Sequence, residues 1–340
     1  MANKISVCSI VLFSRFLLIS CPNAGAITAE KKVVIDTDAG GDDAVAVVMA
    51  VENERLNGST KILGITCVNG NADVDTVGLN VLKILKVLDR LDIPVYKGAS
   101  HPLLLPDKKD YYFGQDGFGD FYYPDPPSTD LINETHAVNA MIDLVKQYPG
   151  KLTILALGPL TNIALAVRIY PEFLDNLEEL IVMGGSIEGR GNSQPGIEFN
   201  FAADPAANFI VFNSSTSKPT TVVSLESTLR AGVPMALRNE LFNLNNSKTW
   251  LIQSATALTV KSDDAVTYWC DSVAASVALT AGSIVTESNT YFSEAIYDGT
   301  KTAGMIIVDY TNITGNIPNT NLVQNVNVIA YKNIIRKYFN

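Results

Sequence analysis

The chain has 340 residues, of which 47% are hydrophobic and 18% charged, with a formal net charge of −10 at pH 7. This mixture supports a sizeable core and excludes a disordered or low-complexity protein, and the acidic excess argues against a nucleic-acid partner. Four cysteines do not make a disulfide scaffold, which a core of this size does not need.

In chain order, residues 1–26 read as a secretory leader: Lys4 gives the positive start, Ile5 to Ser20 the apolar segment, and Ala24-Gly25-Ala26 a small-x-small cleavage site. Arg15 interrupts the apolar segment and argues against a membrane span, and no later stretch is long and apolar enough to cross a bilayer, so no membrane partner is expected. Cleavage would remove Lys4 and Arg15, taking the net charge to −12, together with Cys8 and Cys21, leaving Cys67 and Cys270. Sequons at Asn57, Asn133, Asn213, Asn245 and Asn312 fit a secreted glycoprotein, although such tripeptides are common by chance. Residues 27–340 carry no linker or internal repeat, and a single domain is expected.

The first feature of that domain is the octet Asp36-Thr37-Asp38-Ala39-Gly40-Gly41-Asp42-Asp43, set between Val33-Val34-Ile35 and Ala44 to Ala50. The apolar trio reads as a buried strand and the following run, apolar on every side, as a buried helix. Four carboxylates between two buried elements repel one another unless a cation neutralises them, and a hard divalent ion on oxygen ligands, Ca²⁺ ahead of Mg²⁺, suits that crowding. Other readings are a turn with Asp caps, an EF-hand loop and a dehalogenase-like phosphotransferase with Asp36 as nucleophile. The EF-hand fails because Val47 stands where the closing Glu belongs. The phosphotransferase leaves Asp42 and Asp43 without a role.

Strand-like and helix-like segments then alternate, which predicts an α/β fold with a largely parallel open sheet flanked by helices. Strands are expected at Lys61–Val68, Ile93–Tyr96, Leu152–Leu157, Glu179–Met183 and Thr220–Leu225, and helices at Asp73–Leu88, Thr135–Tyr148 and over most of Pro234–Ala281. Residues 97–130 form a long irregular segment, which inside a compact domain is usually functional. Two β-like runs are expected between Met305 and Tyr331. The polar clusters fall at carboxyl ends of strands, where open parallel sheets bind ligands.

These motifs, in order, carry a resemblance. The octet, Gly70-Asn71 with Asn80, Gly114 to Gly119, Leu157 to Ala164, Met183-Gly184-Gly185, Asn192, Glu198 to Phe201 and Asp204-Pro205 span most of the chain. Together they resemble the calcium-dependent nucleoside hydrolases, which split the N-glycosidic bond of ribonucleosides on a Rossmann-like fold. The resemblance implies Ca²⁺ ligation by Asp38, Asp43, Asp271 and the main-chain carbonyl of Leu157. It implies ribose contacts from Asp42 and Asn71 on one side and Asn192, Glu198 and Asn200 on the other, Asp38 as general base, a structural role for Asp36, and a dimer or tetramer. Thr161 and Asn162 read as caps of the following helix.

The chain departs from the family pattern at Trp269-Cys270-Asp271, because many members carry His where Cys270 stands, and Phe113 replaces a second His. Cys270 is then a candidate acid for the leaving base, or simply a packing residue. Tyr112, Phe113 and Trp269 offer aromatic faces for a purine. The sequence thus predicts a secreted nucleoside hydrolase favouring purine nucleosides, with a catalytically silent nucleoside-binding protein and a phosphatase as alternatives.

Overall fold

The computed structural model describes residues 30–107, 109–214 and 217–340; the expected leader lies outside them. The first strand, β1 (Lys31–Thr37), leads into helix α1 (Gly41–Asn57), followed by β2 (Thr60–Cys67), α2 (Val74–Val87), β3 (Val95–Lys97) and β4 (Ile132–Asn133). Helix α3 (Ala137–Gln147), β5 (Leu152–Ala156), α4 (Thr161–Ile169), β6 (Glu179–Met183), α5 (Phe199–Ala203), α6 (Pro205–Phe212), β7 (Thr220–Val223) and α7 (Leu225–Arg230) come next. A ribbon of β8 (Val233–Pro234) and β9 (Val266–Thr267) encloses α8 (Met235–Phe242) and α9 (Ser247–Ala255) in sequence, and α10 (Cys270–Leu279) follows. The chain ends with β10 (Val285–Tyr291), the ribbon β11 (Ser293–Ala295) with β12 (Ile306–Val308), then β13 (Thr320–Val326) and α11 (Val328–Phe339).

Among the described residues the main sheet has nine strands in the order β10-β13-β7-β6-β5-β1-β2-β3-β4, and only the β10–β13 pair is antiparallel. The expected α/β architecture is therefore the observed one. From β1 the chain winds outward through β2 to one edge, then returns to β5 on the other side of β1, so the order switches beside β1. Open sheets bind ligands at such a switch, and the octet leaves β1 there.

Helix α1 is buried along Gly41–Asn53, and Val45, Val47, Val48, Met49 and Val51 are each fully shielded. Each such side chain contributes roughly 1.5–3 kcal/mol by leaving water, which anchors the acidic end of the helix rigidly. Differences from expectation are local. The strand expected through Leu225 stops at Val223, because Ser224 caps α7 by accepting from Ser227 N at 3.4 Å. The second β-like run ends at Val326, and residues from Val328 onward are helical because Asn327 caps Ala330 N at 3.0 Å. Strand β10 escaped notice because its TESNT stretch is exposed and polar, as suits a sheet edge.

Thr161 and Asn162 are not caps. The Thr161 hydroxyl donates to Asp204 at 2.7 Å. Asn162, fully buried, donates through Nδ2 to Asp36 Oδ1 (2.9 Å) and the Cys67 carbonyl (3.0 Å), and accepts from Ala99 N at 2.8 Å. One amide thus fastens the carboxyl ends of β1 and β2 and the loop after β3 to α4. Replacing it by Ala leaves several buried polar groups unpaired at roughly 1–3 kcal/mol each. Asn162→Ala is therefore expected to lower the urea-unfolding free energy by roughly 3 kcal/mol; a loss below about 1 kcal/mol would show that the tie is dispensable.

Candidate metal centre and substrate cleft

The octet folds as its composition requires. Ala39 adopts a left-handed φ of 44°, turning the chain sharply after β1. Thr37 Oγ1 accepts from Ala39 N (3.0 Å) and donates to Asp43 Oδ1 (2.5 Å), while Gly40 N donates to Asp43 Oδ2 (2.8 Å). Asp43 thereby caps the start of α1. Gly40 and Gly41 carry no Cβ because the Phe113 ring lies against them; an added Cβ would come within 3.0 Å and 2.8 Å of it.

Asp38 is buried and accepts from Asn71 N at 2.8 Å, held there because Gly70 leaves room where a Cβ would sit 2.0 Å from Asp38 Oδ2. Asp42 accepts from Cys270 N at 3.0 Å, so the first turns of α1 and α10 meet. Asp42, Asp43 and Asp271 each bring a carboxylate oxygen to within 4.8 Å of the others. The Asp43 and Asp271 carboxyls lie within hydrogen-bond reach of one another.

This donor set suits a hard cation. Burial first, and then the neighbouring carboxylates, push Asp38 and Asp271 well above the ordinary carboxylate range and bring Asp42 up to about 7, while burial alone raises Asp43 against the hydrogen bonds it accepts. Among the described residues, none of the ion pairs involves any of the four. A helix N-terminus stabilises a nearby carboxylate by about 0.3–1 kcal/mol, whereas desolvating one costs several kcal/mol. Two helix ends do not balance four such groups; a divalent ion on oxygen ligands does.

Asp36 stands apart from this cluster. Buried beneath the cleft, it accepts at Oδ1 from Thr66 (2.6 Å) and Asn162, and burial raises it to about 7. Held by these bonds, it does not face the cleft as a phosphatase nucleophile must.

Above the cluster lies a cleft of about 290 Å³, whose lining includes Asp38, Asp42, Asn71, Phe113, Leu157, Asn192, Glu198, Asn200, Cys270 and Asp271. Asp43 sits just below, in contact with Asp271. Glu198 caps α5, its oxygens accepting from Asn200 N (2.9 Å), Gly185 N (3.0 Å) and Phe201 N (3.1 Å), and burial still raises it to about 7. Asn200 Nδ2 donates to the Leu157 carbonyl at 2.6 Å, tying the ends of β5 and α5 together. Asn192, at the rim, accepts from Phe199 N at 2.9 Å.

Trp269 requires a correction. Its ring is 2% exposed and belongs to the core behind α10, and the adjacent Tyr268 lines the cleft instead. Neighbouring residues in extended backbone point to opposite sides, and the expectation took the wrong one. The cleft also includes Asp110, Tyr112, Met183, Leu225 and Leu229, of which only Tyr112 was singled out from sequence as a side chain for substrate. Leu225 and Leu229 carried a readable signal, an i, i+4 pair directly after a strand. Neither histidine lines it, His136 capping α3 instead. Cys270 does, accepting from Thr228 Oγ1 at 3.2 Å; burial, followed by the Asp42 charge, pushes its thiol up to about 12. Cys67 and Cys270 are both free thiols. Asn80 lies outside the cleft and anchors the irregular segment through the Asp116 carbonyl at 2.9 Å.

Known proteins are similar to this chain in sequence and in fold. The chain is 35% identical to uridine nucleosidase 1 of Arabidopsis thaliana over 66% of its own length and 65% of that protein. It is 35% identical to the pyrimidine-specific ribonucleoside hydrolase RihB of Escherichia coli over 58% of its length and 61% of that protein. A probable uridine nucleosidase 2 of Oryza sativa is 38% identical over 54% of each chain, so the matches span about half to two thirds of these relatives. Solved structures align almost end to end. An inosine-guanosine nucleoside hydrolase superposes with a TM-score of 0.85 at 28% identity, covering 92% of this chain and 99% of that one. The purine-preferring ribonucleoside hydrolase of Gardnerella vaginalis superposes with a TM-score of 0.81 at 27% identity, covering 91% and 98%. The model of the inosine-uridine preferring nucleoside hydrolases matches residues 33–333, from the strand before the octet to the final helix. With its acidic cluster, its cleft and nearly all its length accounted for by that match, the chain belongs to the inosine-uridine preferring nucleoside hydrolase family.

Proposed function

We propose that the protein is a secreted, Ca²⁺-dependent hydrolase that releases the base from ribonucleosides, purine nucleosides first among them. The observation that carries the reading is the buried, uncompensated carboxylate cluster at the floor of a nucleoside-sized cleft in a chain of this family. Asp38, Asp43, Asp271 and the Leu157 carbonyl would hold the cation, with Asp42 beside them. Bound there, it would supply an anchor for vicinal sugar hydroxyls and electrostatic activation of water.

The chain's own groups account for the remaining chemistry. Water adds to C1′ as the C1′–N bond breaks, the bonding pair leaves with the base, and the base nitrogen gains a proton. Asp38, oriented by Asn71 N, takes the proton from the attacking water. The carboxylates around the sugar stabilise the positive charge that grows on it. Asn71, Asn192 and Asn200 grip the hydroxyls, favouring ribo- over deoxyribonucleosides.

The base would sit against Leu225, Leu229, Tyr112, Tyr268 and Cys270. This wall is apolar and aromatic and holds no imidazole, which favours a base that can be protonated from solvent, hence a purine. The named uridine and pyrimidine relatives support a second reading in which pyrimidine nucleosides are the better substrates. Inosine, adenosine, guanosine and uridine, incubated with and without EDTA, distinguish the readings. Chelator-sensitive ribose release, faster on the purines, is expected. Faster uridine cleavage would establish the second reading, and binding without release would identify a silent nucleoside-binding protein.

Removing the base should be severe and removing the thiol mild. Asp38→Asn is expected to lower kcat at least about a hundredfold, with near-normal turnover refuting the assignment. A thiol raised to about 12 is a weak acid at neutral pH, so Cys270→Ala is expected to change kcat less than about threefold. A much larger loss would make the thiol the leaving-group acid.

The cluster also sets a pH dependence. Asp38, Asp42, Asp43 and Asp271 are raised in the metal-free protein, so their protonated forms favour the fold, and that contribution is lost as pH rises through their raised values, about 7 for Asp42. A cation that binds the ionised carboxylates restores it, by about 2.7 kcal/mol at a hundredfold excess over its Kd. The melting-temperature gap between Ca²⁺ and EDTA is therefore expected to widen from pH 5 to pH 8; a gap independent of pH would disprove ligation by these groups.

A further inference from the structure

Glu226 lies on α7 and is 1% exposed, yet it pairs with no cation among the described residues. Its carboxylate is taken up by one loop. It accepts from Ser186 Oγ (2.5 Å), Ile187 N (3.0 Å), Glu188 N (3.2 Å) and Arg190 N (3.4 Å). Ser186 Oγ in turn accepts from Gly191 N at 3.1 Å. Successive backbone N–H groups converging on one anion form a concave receptor, here occupied by a side chain of the neighbouring helix. Arg230, also on α7, pairs with Glu188 from outside, and Tyr310 donates to the Ile187 carbonyl at 2.9 Å.

The loop ends at Gly191 and Asn192, which line the cleft. With Asn192 Oδ1 accepting from Phe199 N, its Nδ2 is left for a sugar oxygen. The other face of α7 presents Leu225 and Leu229 to the cleft and holds Cys270 through Thr228. A single buried carboxylate therefore joins the wall that meets the sugar to the wall that meets the base.

We propose that Glu226 is a positioning residue: it fixes the Ser186–Asn192 loop against α7 and so sets where Asn192 meets the ribose. The proposal rests on the ribonucleoside-hydrolase reading for its substrate, although the loop restraint itself does not. Removing a hydrogen-bond acceptor here frees the loop, and a displaced Asn192 weakens ribose binding in ground and transition state alike, which raises KM more than it lowers kcat.

The test uses Glu226→Gln, which keeps the size but turns an amide toward N–H donors, and the milder Ser186→Ala, each in wild-type and Asn192→Ala backgrounds. In the wild-type background KM is expected to rise about tenfold for Glu226→Gln and about threefold for Ser186→Ala, with kcat changed less. In the Asn192→Ala background the same changes should raise KM less than about twofold, because the side chain being positioned is gone. Amides 187–191 should exchange faster with solvent in Glu226→Gln while those of α3 do not change. KM effects that simply add to Asn192→Ala, or unchanged loop exchange, would overturn the proposal. A wild-type protein that cleaves no ribonucleoside would refute the hydrolase reading, whereas the exchange measurement needs no substrate and still tests the restraint.

Discussion

The cleft depends on one unfavourable arrangement: three carboxylates from two helix starts, and a fourth from the preceding turn, are brought together out of water. Helix dipoles and hydrogen bonds offset only part of that cost. A cation on oxygen ligands would balance the remainder, and the rest of the structure holds the carboxylates in place for it. The fully buried α1 fixes Asp42 and Asp43, α10 brings in Asp271, and Asn71 N holds Asp38. Beneath them, Asn162 joins Asp36 to the end of β2 and to the loop after β3, so the turn that carries the carboxylates cannot relax away from them.

Around that floor the walls divide by chemistry. On the nucleoside-hydrolase reading proposed here, amides and carboxylates at the ends of β2, β5 and β6 would face the sugar, and leucines and tyrosines the base. The division follows from topology, because the sugar side is built from strand ends at the switch beside β1, while the base side comes from α7, the approach to α10 and the long segment after β3. That segment supplies Asp110, Tyr112 and Phe113, and Asn80 anchors it through Asp116. Its irregularity suits a wall shaped by packing against glycines and aromatic rings, with no hydrogen-bond ladder to impose a period.

Features with local causes were legible in sequence. The buried helix after the octet, the parallel alternation of elements and the placement of polar clusters at strand ends each follow from a short stretch of chain. Asn71, Asn200 and Asp271 were reached by resemblance, and the fold brings them to the same cleft. Trp269 was misplaced because which of two adjacent aromatics faces the cleft depends on how the backbone enters α10. Asn162 read as a cap because its partners, Asp36, Cys67 and Ala99, are distant in sequence. Glu226 gave no signal, since a carboxylate between Leu and Ser becomes notable only when a remote loop closes over it.

By itself the sequence determined the acidic turn between a buried strand and a buried helix, because apolar runs must leave water and four clustered carboxylates demand a counter-charge. It also determined the α/β class through the periodicity of its elements. Tertiary structure alone decided which side chains share the cleft, that Tyr268 and not Trp269 faces it, that burial raises the Cys270 thiol, and that Glu226 joins its two walls. The physical reason is the same in each case. Burial, and hydrogen bonds between residues far apart in the chain, exist only once the sheet has brought those residues together.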